Sequence, residues 1–181
     1  MGLQINRLFV EEFFGKLSHE LKVKILTQTK KDEYLTLGLL AISKGLFDIF
    51  ELLISIGKEI EIDVLKLPDY DMDRMATPIH YACWNKNNNE NTSEWFIKNY
   101  DKLFNVSLNN IDAKGNSPFL YACFGGNIRI AQFLHSKGCQ LKSNHAGHTP
   151  IIQAACAGHI DIIEWLISIG QNIQEADHNG N

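Results

Sequence analysis

Two stretches of this chain align when one is slid along the other by 32 residues. Ser117-Pro118-Phe119-Leu120-Tyr121-Ala122-Cys123 pairs with Thr149-Pro150-Ile151-Ile152-Gln153-Ala154-Ala155, and the register continues through Leu134/Leu166, Ser136/Ser168 and Gly138/Gly170. Thr77-Pro78-Ile79-His80-Tyr81-Ala82-Cys83 opens a third copy upstream. Phe47 to Gly57 matches Ile160 to Gly170 at eight of eleven positions, which adds the second half of a fourth. A unit this short cannot bury an apolar face alone, whereas stacked copies can. The chain is therefore predicted to be a solenoid, not a globule around one closed core.

One copy can be read residue by residue. Thr149 is suited to N-cap a helix, since its hydroxyl accepts a hydrogen bond from an orphan amide. Pro150 takes the first helical position, where its missing N–H costs nothing. The helix is predicted to run to about Ala157, and its small residues let neighbouring units approach. Gly158 breaks it. A second helix carries Ile160, Ile162, Ile163, Leu166 and Ile167 on a broad apolar face, and Gly170 provides a left-handed end. Asp112-Ala113-Lys114-Gly115, Asn144-His145-Ala146-Gly147 and Asp177-His178-Asn179-Gly180 share turn chemistry, with Asp or Asn first and Gly fourth.

The turn with Asp and Gly, the Thr-Pro start, the Ala-rich helix, Gly158-His159, the aliphatic helix and the closing Gly together resemble the ankyrin repeat. The resemblance is strong over 112–181, fair over 70–111, partial over 34–69 and absent before 34. It implies an all-α solenoid of about four helix-turn-helix repeats with a helical N-terminal cap. The units are 34–69, 70–111, 112–143 and 144–176, with a further repeat opening at 177–181, and residues 1–33 form the cap. The apolar surround of the last helix adds the expectation of a longer array. The copies also depart from the pattern. Only His80 fills the histidine of the Thr-Pro-Leu-His motif, and Met72 and Met75 stand at the Asp and Gly turn positions of the second copy. That copy inserts a polar loop at 85–92, and the first lacks the Thr-Pro start. Leu17 to Leu26 resembles the start of an F-box, and a plain capping helix accounts for the same residues.

Composition narrows the functional classes. The net charge is −4, with no basic stripe of the kind that releases counterions from nucleic acid. Glu11, Glu12 and Glu20 argue against a signal peptide, and no apolar run reaches the ~18 residues of a membrane span. The expected setting is the cytoplasm, of a host cell if the chain is a delivered effector. His145, His148, Cys156 and His159 could be written as a zinc signature, but the repeat accounts for each of them, as it does for Cys83, Cys123 and Cys139. No Gly-rich phosphate loop or nucleophile elbow is present. No catalytic residue, metal or cofactor is expected.

Binding is the remaining class. The resemblance implies a protein partner, no nucleic acid, no membrane and a monomeric chain. The binding positions it implies, on the hairpin tips and the outward face of each first helix, are Asp73, Arg74, Trp84, Asn85, Lys114, Asn116, Phe124, His145 and His148. Trp84 and Phe124 stand out, because exposed aromatics are natural hot spots. Two other readings fit the same residues: the recognition arm of a larger enzyme or effector, and an F-box-like ubiquitin-ligase adaptor. Charge is banded as well. Residues 106–148 hold one acid, Asp112, against Lys114, Arg129, Lys137 and Lys142, and 149–181 hold no lysine or arginine.

Overall fold

The computed structural model describes residues 7–27, 36–69, 74–84, 90–104, 108–173 and 177. Among these there are ten α-helices and no strand. Helices α1 (Arg7–Gly15) and α2 (His19–Thr27) precede four successive helix pairs. The pairs are α3 (Leu37–Ser43) with α4 (Phe47–Glu59), α5 (Pro78–Trp84) with α6 (Glu90–Leu103), α7 (Pro118–Gly125) with α8 (Ile128–Ser136), and α9 (Pro150–Ala157) with α10 (Ile160–Ser168). The first helices stack in a row, α3 on α5, α5 on α7 and α7 on α9. Helix α1 packs on α4, and α2 on α3 and α4.

Local chemistry sets the helix boundaries. Ser117 and Thr149 accept from the amides of Leu120 and Ile152 at 3.3 and 3.4 Å, each with proline next in line. The first pair lacks proline, and Thr36 caps α3 alone by accepting from Leu39. Gly126 and Gly158 end α7 and α9 with φ near +80°, the left-handed conformation in which glycine avoids a steric penalty.

Phe50, Phe96, Phe104, Phe119, Ile130 and Leu134 are fully buried between the helix rows. Truncating such a phenylalanine to alanine costs about 3–5 kcal/mol. Aromatic contacts hold α6 on both sides. Trp95 stacks on Phe47 of α4 at 4.3 Å and donates its indole hydrogen to Glu51 at 2.8 Å. Toward α8, Phe96 and Tyr100 meet Phe133 edge-on at 6.2 and 5.2 Å.

Polar side chains tie successive units together. Asn127 donates to the Cys83 carbonyl at 2.6 Å, and His159 Nε2, in the equivalent place, to the Phe124 carbonyl at 3.1 Å. The His159 ring lies where a Cβ on Gly126 would fall, 2.5 Å from that position. His80 Nδ1 accepts from the Thr77 amide at 3.1 Å, which leaves Nε2 to donate to the Asn110 carbonyl at 3.2 Å. Burial lowers its pKa and favours this neutral form. Cys83, Cys123 and Cys139 are buried, and Cys156 is exposed.

The second hairpin corrects the sequence register. Met72, aligned with the turn aspartate, lies outside the described residues, and the aspartate's role falls to Asp69. Its Oδ1 accepts from the Ala76 amide at 2.8 Å and its own amide donates to the Ala76 carbonyl at 2.8 Å. In the next hairpin Asp112 makes the same pair of bonds to Asn116, at 2.7 and 3.0 Å. The loop from Asp69 to Ala76 is three residues longer than that from Asp112 to Asn116, so a fixed offset misses Asp69. Met75 does hold the glycine's place, with φ of +54°.

Candidate binding cleft

The hairpins and first helices build a cleft from short-range chemistry. Asp112 Oδ1 accepts from the amides of Lys114 and Asn116 at 2.9 and 2.7 Å, which closes the third hairpin. Asn144 closes the fourth in the same way, with Ala146 and His148 amides at 3.0 Å. Backbone bonds then register adjacent hairpins. The Ala113 amide donates to the Arg74 carbonyl at 2.6 Å, and the His145 amide to the Lys114 carbonyl at 3.0 Å. Arg74 and Lys114 are thereby set on neighbouring tips.

Behind the tips, two tyrosines brace the hairpins against the helices. The Tyr121 hydroxyl donates to Asp112 Oδ2 at 2.9 Å, and that of Tyr81 to Asp69 Oδ2 at 2.8 Å. Burial pushes both phenols well above their ordinary pKa, and the adjacent carboxylates push the same way. The Tyr121 ring also forms part of an aromatic wall. Trp84 lies 6.5 Å from Tyr121, edge to face, and 6.5 Å from Phe124, tilted. Gly125 permits this approach of α5 to α7, since a Cβ there would lie 3.0 Å from the Trp84 backbone.

The result is a cleft of about 180 Å³ open to solvent. The hairpin residues Arg74 and Lys114 form its lip, Trp84, Tyr121 and Phe124 its aromatic wall, and Leu120, Asn116 and Gln153 complete the lining. Phe124 is 40% exposed and Trp84 half-buried. Burial opposes the Arg74 charge, but Tyr121, Tyr81 and Asp69 outweigh it and its pKa is raised. Asn116 is oriented by its own bonds, donating to Asp112 and accepting from Asn144 Nδ2 at 2.7 Å.

Five positions singled out in the sequence meet here: Arg74, Trp84, Lys114, Asn116 and Phe124. His145 and His148 do not line the cleft. The His145 ring packs over Gly115, 2.5 Å from where a Cβ would stand. His148 Nε2 is 3.4 Å from the buried carboxylate of Asp177. Asp73 and Asn85 lie outside the described residues. Leu120, Tyr121 and Gln153 were not singled out, although Tyr81, Tyr121 and Gln153 recur at the same place after each helix cap.

Among the described residues no three His, Cys, Asp or Glu side chains gather as a metal site, and no helix is long and apolar enough to cross a membrane. A family model for ankyrin repeats in three copies matches residues 80–177. The chain belongs to the ankyrin-repeat family, whose members generally mediate protein–protein interaction and are typically non-catalytic.

Proposed function

We propose that this chain is a non-catalytic module that binds a partner protein through its hairpin tips and the exposed face of its first helices. Arg74, Trp84, Lys114, Asn116 and Phe124 are the contact residues. The observation that carries this reading is their convergence on one cleft. The cleft is pre-formed: Asn116 is fixed by hydrogen bonds and Trp84 by its neighbours, so little entropy is lost on docking. A standard interface, about 800 Å² on each partner, would extend from the cleft along the row of hairpins. The test is affinity capture from cells with wild type and with a Trp84→Ala, Phe124→Ala double variant. A partner held by the first and lost from the second, with both folded by circular dichroism, is the expected result. Equal capture by both would remove the cleft from the interface.

A further inference from the structure

The chemistry of the cleft restricts what it can hold, and the inference here rests on the protein-binding role proposed above. We propose that the cleft receives a linear segment of the partner protein in which an aspartate or glutamate stands next to an aromatic or large aliphatic side chain. The volume, about 180 Å³, is below the ~300 Å³ at which pockets for drug-sized ligands begin. It suits one or two side chains presented by a backbone running across the exposed face of the first helices.

The apolar side chain is assigned by the wall. Trp84, Tyr121 and Phe124 offer ring faces and edges around Leu120, a surface that gains most from burying another ring or a branched aliphatic chain. The acid is assigned by the lip. Arg74 and Lys114 are the charged side chains lining the cleft, and both are positive. The carboxylates behind them cannot serve a partner's donors. Asp69 is buried and accepts from Ala76 and Tyr81, and Asp112 is buried and accepts from Lys114, Asn116 and Tyr121. They dampen the field without offering an acceptor. A docking chain therefore meets two cations beside an aromatic wall, while the Asn116 carboxamide is held by Asp112, Asn144 and Gln153. Arg74 adds a fork of donors that matches a carboxylate.

The test uses the full chain against a displayed library of random twelve-residue peptides, followed by binding of selected peptides by fluorescence anisotropy. Enriched peptides should carry Asp or Glu within two positions of an aromatic, Leu, Ile or Met. Lys114→Glu, at an exposed tip, should weaken such a peptide about tenfold or more, and affinity should fall as salt rises. Selection against Lys114→Glu should shift toward Lys- and Arg-bearing peptides. Enriched peptides without an acid, yet displaced by Phe124→Ala, would overturn the acidic specificity while leaving the protein-binding role intact. Failure to enrich any peptide sensitive to Phe124→Ala would overturn the linear-segment proposal, and the affinity capture described above decides the protein-binding role separately. A fluorescent twelve-nucleotide RNA that binds in the micromolar range and competes with the peptides would also overturn the proposal, in favour of a nucleic-acid ligand.

Discussion

Tyr121 donates its hydroxyl hydrogen to the buried carboxylate of Asp112 across 2.9 Å, joining helix α7 to the hairpin that precedes it. One unit earlier Tyr81 and Asp69 repeat the contact at 2.8 Å, although three extra residues separate that hairpin's ends. The bond therefore survives a change in loop length. Tyr121→Phe removes one charge-assisted hydrogen bond, but Asp112 Oδ2 keeps its bond from Asn116 at 3.0 Å. The expected loss is about 1.5 kcal/mol, at the low end for bonds to charged groups. Urea unfolding checks it, and an unchanged midpoint would show that the bond contributes nothing.

The same pair sets an alkaline limit. Burial and then the neighbouring aspartates raise the pKa of Tyr81 and Tyr121, whereas tyrosine in an unfolded chain ionises near ~10. Above that pH the unfolded state releases protons that the folded state retains. The stability these groups contribute is therefore complete below about pH 10 and is lost as pH rises further. Urea midpoints measured from pH 8 to 11 should fall more steeply in wild type than in a Tyr81→Phe, Tyr121→Phe double variant. Parallel slopes would sink the argument.

The four cysteines should divide by exposure. Burial pushes Cys83 and Cys123 well above the ordinary thiol range and Cys139 up to about 12, while Cys156 is exposed. Thiolate is the reactive form, so a disulfide reagent at pH 8 should modify Cys156 quickly and the others only as the chain opens. Mass spectrometry of the early product should place a single adduct on Cys156. Early adducts on Cys83 or Cys123 would contradict their burial.

How far the sequence disclosed this arrangement depended on the range of each interaction. The starts of α7 and α9 were legible because Ser117-Pro118 and Thr149-Pro150 act on their own first turn. The ends at Gly158 and Gly170 were legible for the same reason. Arg74, Trp84, Lys114, Asn116 and Phe124 were reached through the resemblance to the ankyrin repeat, whose register carries a position on one unit to its neighbour. Asp69 was missed because its partner Ala76 lies seven residues away, where the regular hairpin has four. Tyr121 was not singled out, although its hydroxyl has a partner and its ring reaches the cleft. His145 stays exposed on its hairpin and His148 is half-buried there, and neither lines the cleft, because of contacts that no local pattern encodes. Gly115 leaves room for the first, and Asp177 attracts the second.

Phe124 and Phe119 sit five residues apart on one helix and should behave as opposites. Phe119 is 1% exposed and Phe124 40%. Phe119→Ala should cost about 3–5 kcal/mol, in line with other truncations of buried aromatics. Phe124→Ala should cost less than about 1 kcal/mol and act on binding instead. Thermal unfolding of the two variants side by side decides this. Comparable losses would make Phe124 a core residue.

Met75 occupies a place that glycine fills in the next two hairpins. Its φ is +54°, against +80° and +83° for Gly115 and Gly147. A residue with a Cβ is disfavoured in this region by about 1–2 kcal/mol, and the Met75 side chain is 44% exposed, so it recovers little by packing. Glycine relieves that strain but adds about 0.5–1 kcal/mol of unfolded-state entropy. Met75→Gly should therefore stabilise the chain by about 0.5 kcal/mol. Gly115→Ala should act in the other direction and more strongly. It imposes the same backbone penalty and sets a Cβ 2.5 Å from the His145 ring and 2.8 Å from its backbone nitrogen. Urea midpoints of the two variants should move to opposite sides of wild type. If Met75→Gly lowers the midpoint while Gly115→Ala leaves it unchanged, the second hairpin does not share the geometry of the third.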